Sequence, residues 1–450
     1  MIIRIVRTSN VSRRLMIFGL TILMALASTA LWGTAHAGAD APPPEFYVPP
    51  AGFEDSAPGT VLRSRATPVA LFGLPVPVGV TAWQLLYRTT DEQGAPSTTV
   101  TTVLAPPEGT STHRLLSYQV FEDATAPQCA PSRNLSTNPA LDGVTAISAG
   151  LALVQSALYR GWTVSIPDHG GPLSEFGATV EPGRAVLDGI RAARDFAPLG
   201  LPESVPVGAA GYSGGALATG WATEEHATYA PEINLVGAAM GGTPVDLAES
   251  PYNLDGSAQA GTGLFIVSGL RNTYPDLKAR LDPYLTPLGR TTLDAMATAC
   301  STSNQLTNIA RQYDTLFTEP FASVWGKPEI RTVLDRARLG TTATDVPRLL
   351  YHSVNDEAVP VTDLDSYVRA ECERSARLTV RREELGLHLT TAVSGLALSM
   401  DWLDTVSSEP APERPYCDIS TVPSFVGADP AATVQSVDET VRSLLGLPRK

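Results

Sequence analysis

Ser213 stands in the middle of Gly211-Tyr212-Ser213-Gly214-Gly215, after the apolar Val207-Gly208-Ala209-Ala210 and before Ala216-Leu217-Ala218. Gly-x-Ser-x-Gly between an apolar, strand-like run and a run of small helix formers is the pattern of a nucleophile elbow. There a strand ends, the backbone turns sharply and a helix starts, so that the serine is lifted above the sheet edge. The flanking glycines keep side chains out of the strand–helix contact. The helix N-terminus turns its free N–H groups toward the place where an oxyanion would form. A serine hydroxyl is a poor nucleophile at neutral pH and needs a base, and the base needs an acid to orient it.

Behind an elbow of this kind the chain order is Ser, acid, His. Three histidines follow Ser213: His226, His352 and His388. His226 falls well down the helix that starts at the elbow. His352 comes before the best acid candidate, which leaves His388 as the base, in a loop after the last expected strand. The acid is expected to be Asp356, in His352-Ser353-Val354-Asn355-Asp356-Glu357-Ala358-Val359-Pro360, just beyond a buried strand. Asp345 precedes that strand and lies at its wrong end, while Asp363 and Asp365 suit a helix start. For the oxyanion hole, Gly214 offers one backbone N–H. Asp123, closing Tyr118–Asp123, offers the other. His169-Gly170-Gly171 follows a different strand, runs into Pro172 and reads as a structural turn.

The elements that position these residues alternate. Strands are expected at 81–88, 98–104, 113–120, 162–166, 205–210, 233–240, 347–351 and 377–381, and helices at 151–159, 182–194, 216–228, 361–372 and 392–406. Strands alternating with helices from about 113 to 245 predict an α/β fold with a doubly wound, mostly parallel sheet, whose ligands sit at the carboxyl ends of the strands. Residues 246–345 are poor in β-branched runs. They read as a helical insertion, with segments at 264–270, 274–281, 291–299, 306–317 and 330–339. Phe265, Tyr284, Phe317, Phe321 and Trp325 are candidates either to line an apolar pocket or to form the insertion's own core. The expected layout is a signal segment at 1–37, core at 38–245, insertion at 246–345, core again at 346–417 and a tail at 418–450 with a short helix near 436–445.

The N-terminal segment carries Arg4, Arg7, Arg13 and Arg14 before an apolar run from Leu15 to about Trp32, and Ala35-His36-Ala37 then offers a small-x-small cleavage site. That is the pattern of a cleavable export signal rather than a membrane anchor. Its removal would take the formal charge from −14 to −18, which disfavours nucleic acid as a partner. No cofactor or metal is implied, since none of the four cysteines, Cys129, Cys300, Cys372 and Cys417, lies in a CxxC pair. In an exported chain they suggest two disulfides, and spacing leaves three connectivities open.

Tyr118–Asp123 followed by Cys129-Ala130-Pro131-Ser132, Gly161-Trp162-Thr163-Val164 with Pro167-Asp168, Ala185–Arg191, Gly211–Gly215 and the Asp356 segment together resemble the secretory lipase family typified by fungal lipase A. The resemblance runs from about 45 to 417 and does not extend into the tail. It implies an α/β-hydrolase core with a helical lid inserted before the acid strand, and lipase or esterase activity on lipid esters. It also implies a Ser213–Asp356–His388 triad, an oxyanion hole at Asp123 and Gly214, and the pairs Cys129–Cys300 and Cys372–Cys417. The same triad would serve acyl transfer or prolyl-type peptide hydrolysis. A non-catalytic lipid-binding surface protein is the alternative of another class. The oligomeric state is not written in the sequence.

Overall fold

The computed structural model describes residues 45–68, 70–71, 74–75, 79–135, 144–408, 416–428 and 442. The expected signal segment and the expected helix near 436–445 lie outside these, apart from residue 442.

Ten strands make one sheet among the described residues. They are β1 (Val61–Ala66), β2 (Thr81–Thr90), β3 (Pro96–Ala105), β4 (Leu115–Gln119), β5 (Thr163–Pro167), β6 (Val207–Tyr212), β7 (Leu235–Gly241), β8 (Arg348–Ser353), β9 (Leu378–Glu383) and β10 (Cys417–Val422). Their order is β1-β2-β3-β5-β4-β6-β7-β8-β9-β10. β1, β2, β3 and β5 pair antiparallel, and every pairing from β5 to β10 is parallel. Helices α1 (Val144–Tyr159), α2 (Val180–Asp195) and α3 (Gly214–Tyr229) follow β4, β5 and β6. This is the doubly wound α/β-hydrolase arrangement expected from the alternation of the two periodicities. The inner strands β4, β5 and β6 are buried along their whole length, so they read as short apolar or small-residue runs rather than alternating ones.

Between β7 and β8 the chain is helical, with α4 (Ala260–Thr273), α5 (Pro287–Met296) and α6 (Pro328–Leu334) as its main helices joined by shorter turns. Phe265, Phe317, Phe321 and Trp325 are buried in this region's core. Phe321 packs against Tyr313, Phe317 and Trp325 at centroid distances of 5.1, 5.4 and 5.6 Å. Of the two roles open to these aromatics, the structure gives them packing. The helix expected at 306–317 is instead Ser301–Thr307 followed by a 3-10 turn at Tyr313–Leu316. Asn308 at its end turns its amide back on Asn304, and Ala310 then takes a left-handed φ of 56°.

After β8 come α7 (Val361–Glu373), β9, α8 (His388–Ser394) and α9 (Leu396–Val406). Three expectations need correction here. His388 is not in a loop but is the first residue of α8. The single helix expected at 392–406 is broken at Gly395, where a Cβ would lie 2.2 Å from the Tyr351 ring. The strand at 377–381 is not the last, because β10 adds in register from Leu378↔Cys417 to Glu383↔Val422. β10 is a half-exposed edge strand, and its Cys-Asp-Ile-Ser-Thr-Val run lacks the apolar weight of the inner strands. The described disulfides are Cys129–Cys300 and Cys372–Cys417. The first ties the segment after β4 to the insertion, and the second ties α7 to β10.

Arg348, fully buried at the start of β8, donates to Glu371 Oε2 at 2.6 Å and to Tyr367 Oη at 2.5 Å, both on α7. A buried cation of this kind is costly to remove alone, because its partner then stays charged in an apolar setting. Arg348→Met is expected to cost about 3–5 kcal/mol, and Arg348→Met with Glu371→Leu to recover most of that loss. Denaturant midpoints at unchanged slope would measure both.

Candidate functional site

Ser213 adopts φ 50°, ψ −121°, a left-handed conformation that a non-glycine residue holds only under tight packing on both sides. That packing is on hand. A Cβ on Gly211 would lie 2.3 Å from the Gly215 carbonyl carbon, and one on Gly215 would lie 2.1 Å from the Gln119 carbonyl oxygen. Strand β6, helix α3 and the end of β4 therefore meet backbone to backbone, and only glycine fits at 211 and 215. Gln119 fastens the junction: its amide donates to Ser117 Oγ at 2.6 Å and its carbonyl accepts from Thr219 Oγ1 at 2.7 Å.

The chain brings His388 to Ser213 from 175 residues away, with Nε2 to Oγ at 3.0 Å. Nδ1 of the same ring lies 2.7 Å from Asp356 Oδ2. Asp356 Oδ1 accepts from the N–H groups of Val359 and Ala358 at 2.7 and 3.0 Å, which fixes the carboxylate in the turn after β8. Burial works against the Asp356 charge. The His388 hydrogen bond and charge, with His352 and the Val359 N–H, outweigh it and hold the carboxyl below its ordinary value. For His388, burial opposes the imidazolium. The Asp356 hydrogen bond and the charges of Asp356, Asp123 and Glu357 win, and its pKa is raised. His352, next to this pair, is fully buried with Nε2 at 3.0 Å from the Val359 carbonyl; burial lowers its pKa. His226 lies away from the cluster, bonded to the Ile233 carbonyl.

Asp123 also has a left-handed backbone, φ 41°. Its carboxyl is buried against Gly214, where a Cβ would meet Oδ1 at 2.4 Å. Oδ1 has no hydrogen-bond partner, and burial pushes the group up to about 6. Glu122 beside it accepts from Ser174 Oγ at 3.0 Å and is pushed up to about 8, chiefly by burial. The segment carrying Asp123 is held on several sides. His169 Nε2 bonds the Val120 carbonyl at 2.8 Å. Thr125 Oγ1 donates to the Met296 carbonyl at 2.7 Å, and Cys129–Cys300 closes the far side. Asp168 accepts from the Ser132 N–H and hydroxyl at 2.7 and 2.5 Å. The loop at 169–171 thus buttresses the Asp123 segment through the His169 side chain.

A small pocket beside Gly214 is lined by Glu122, Ala124, His169, Phe176 and Leu217 among others. Phe176, in the loop between β5 and α2, lines it rather than the insertion's buried aromatics. Its Glu175-Phe176-Gly177 context has no periodic signal to single it out in the sequence. Glu357 and Tyr212 bond the backbone of His388, a role that no motif in the sequence marks. Both adjoin a named residue, Asp356 and Ser213, and that adjacency is the one signal that could have found them. Among the described residues, no group of three or more His, Cys, Asp and Glu is placed to hold a metal ion, and no helix is long and apolar enough to cross a membrane.

The family model for secretory lipases matches residues 138–412. A lipase A of Arthroderma benhamiae is 36% identical over 372 residues, covering 80% of this chain and 79% of that protein. A Mycobacterium tuberculosis protein named "Probable inactive lipase" is 37% identical over 361 residues, covering 80% of each chain. The crystal structure of Candida antarctica lipase A in its closed state superposes with a TM-score of 0.79 at 30% identity, covering 90% of this chain and 97% of that one. The elbow, the sheet order and these matches lead to one conclusion: this chain belongs to the secretory lipase family.

Proposed function

We propose that this protein is an exported serine ester hydrolase that cleaves acylglycerols or related lipid esters through an acyl-enzyme. The observation that carries the reading is the continuous hydrogen-bonded line Ser213 Oγ–His388 Nε2, His388 Nδ1–Asp356 Oδ2, at 3.0 and 2.7 Å. Family membership alone would not suffice, because a relative as similar as 37% carries the name of an inactive lipase.

In this reading Nδ1–H donates to Asp356, which leaves Nε2 free to accept the Ser213 proton. Ser213 Oγ attacks the ester carbonyl carbon as its proton passes to His388. The carbonyl oxygen becomes an oxyanion and takes hydrogen bonds from the backbone N–H groups of Asp123 and Gly214. Asp356 stabilises the imidazolium. Collapse expels the alcohol, protonated by His388, and leaves the acyl group on Ser213. A water molecule then gives its proton to His388 and attacks the acyl carbon, so that the acid departs and Ser213 recovers its proton. The two left-handed residues, Ser213 and Asp123, flank the Gly214 N–H, and the strain is consistent with N–H groups set in place before the substrate arrives. The pocket beside Gly214 is suited to the acyl chain nearest the carbonyl. The helical insertion at 246–345, read as a lid, would set how much of a longer chain can enter. The arginine-bearing apolar segment at 1–37 and the secretory family fit export.

Ser213→Ala is expected to lower ester hydrolysis at least about a thousandfold and to abolish labelling by a phosphonate serine probe. Retained hydrolysis would defeat the reading, and absence of labelling in the wild type would favour a non-catalytic role. Because His388 must be neutral to act as base and its pKa is raised, kcat/KM should fall as pH drops through a value above 6.5 and level off at higher pH. A pH–rate profile on a soluble short-chain ester checks this. Rates across short- to long-chain esters, below and above the solubility limit, would separate esterase from lipase behaviour.

A further inference from the structure

Every polar handle on His388 is held, and one of the holders bridges to the insertion. The imidazole is held at Nδ1 by Asp356, and the carbonyl accepts from Tyr212 Oη at 2.5 Å. The backbone N–H donates to Glu357 Oε2 at 2.9 Å. His388 opens helix α8, so this N–H is one of the donors that a helix leaves unpaired at its start, and a carboxylate is the group best suited to it. The other oxygen, Glu357 Oε1, accepts from Gln259 Nε2 at 2.9 Å. Gln259 stands immediately before helix α4 of the insertion, where its own N–H donates to Ser257 Oγ. One exposed side chain thus joins the turn carrying Asp356, the helix carrying His388 and the residue that caps α4 of the insertion.

Resting on the hydrolase reading, we propose that Glu357 is a positioning residue: it sets the backbone of His388 and is itself kept in place by Gln259. Glu357 accepts no proton and touches no substrate in that reading. Asp356 can orient the ring only if the ring's backbone is where the hydrogen bond needs it, and a shift of the first turn of α8 would lengthen both ring contacts together. Glu357 also adds a negative charge near the imidazole. The charged and titratable groups facing His388 are Asp356 and Glu357 from the turn after β8, Asp123 from the segment after β4, His352 from the end of β8 and Tyr212 from the end of β6, whose ring lies 5.3 Å from the imidazole. Glu383 at the end of β9 holds α8 itself, accepting from Thr391 and Ser394.

The test uses the full chain with Glu357→Gln, Glu357→Ala, Gln259→Ala and the double variant, thermal melts serving as the folding control. Glu357→Gln removes the charge and keeps one oxygen for the His388 N–H, while its new Nε2 can donate to Gln259 Oε1 once that amide turns over. It should lower the NMR titration midpoint of the His388 imidazole by about 0.5 unit, with the difference shrinking in high salt. Glu357→Ala should lower kcat about tenfold with KM within twofold of wild type. Gln259→Ala should lower kcat less, about threefold, and leave the titration unchanged; the double variant should be no worse than Glu357→Ala. Wild-type kcat in Glu357→Ala together with a wild-type titration in Glu357→Gln would overturn the proposal, as would full additivity of the two alanine variants. The titration is read without turnover. If Ser213→Ala disproves the hydrolase reading, it still decides whether Glu357 acts on His388, and if Glu357→Ala does not fold, Gln259→Ala decides on positioning, wild-type kcat there overturning the proposal.

Discussion

The contact on which the rest of the structure depends is the approach of three backbones at the elbow. β6 runs into α3 with no side chain at Gly211 or Gly215, and the end of β4 lies against Gly215 close enough that one added carbon would fall 2.1 Å from the Gln119 oxygen. This closeness holds Ser213 in a conformation worth about 1–3 kcal/mol of strain, and it brings Asp123 over Gly214. The strand order follows suit, because β4 and β6 must be neighbours for the Asp123 segment and the elbow to share one edge. The connections that leave this edge, through α2, the insertion and α8, then return their loops to the same side, as the carboxyl ends of parallel strands require.

Around that contact, burial and hydrogen bonding pull acidic groups in opposite directions. Asp356 is buried, yet two backbone N–H groups and His388 favour its charge, so it stays below its ordinary range. Asp123 and Glu122 are as deeply buried with fewer partners, and burial wins. Asp168, despite its two bonds from Ser132, is still pushed up to about 7. The difference lies in whether donors converge on the carboxylate, and only tertiary packing provides them. The site therefore holds one carboxylate whose charge is favoured beside the imidazole and three others, Asp123, Glu122 and Asp168, whose charge burial disfavours.

The insertion is tied to the site at several places. Cys300 bonds Cys129, the Met296 carbonyl takes the Thr125 hydroxyl, and Gln259 reaches Glu357 beside Asp356. Two of these ties fall on the Asp123 side and one on the His388 side, so the inserted helices bracket Ser213. The insertion's aromatics are used to pack it. Its influence on substrates would therefore come from where its helices sit rather than from a ring of apolar side chains aimed at the serine. The chain is similar both to proteins named lipase A and to a relative named an inactive lipase, so what would separate them lies in these few distances around Ser213 rather than in the fold.

The strand–helix alternation, the elbow and the order Ser213, Asp356, His388 were legible because each rests on a local rule: periodicity, a five-residue turn, or sequence order. By itself the sequence determined the fold class, the family and a short set of candidate site residues. It did not reveal β10, since an edge strand buries too little to carry an apolar pattern, nor the start of α8 at His388, where Leu387 and Thr390 cap the helix without an obvious signal. The two residues that hold the backbone of His388 stood beside named residues and gave no sign of their partners. Tertiary structure alone decided the distances from Ser213 to His388 and from His388 to Asp356, the orphaned Asp123 carboxyl, and the bridge from Glu357 to Gln259. The physical reason is common to all of them. Each joins segments brought together by packing across the sheet, and hydrogen bonds between distant segments leave no periodicity in the chain that makes them.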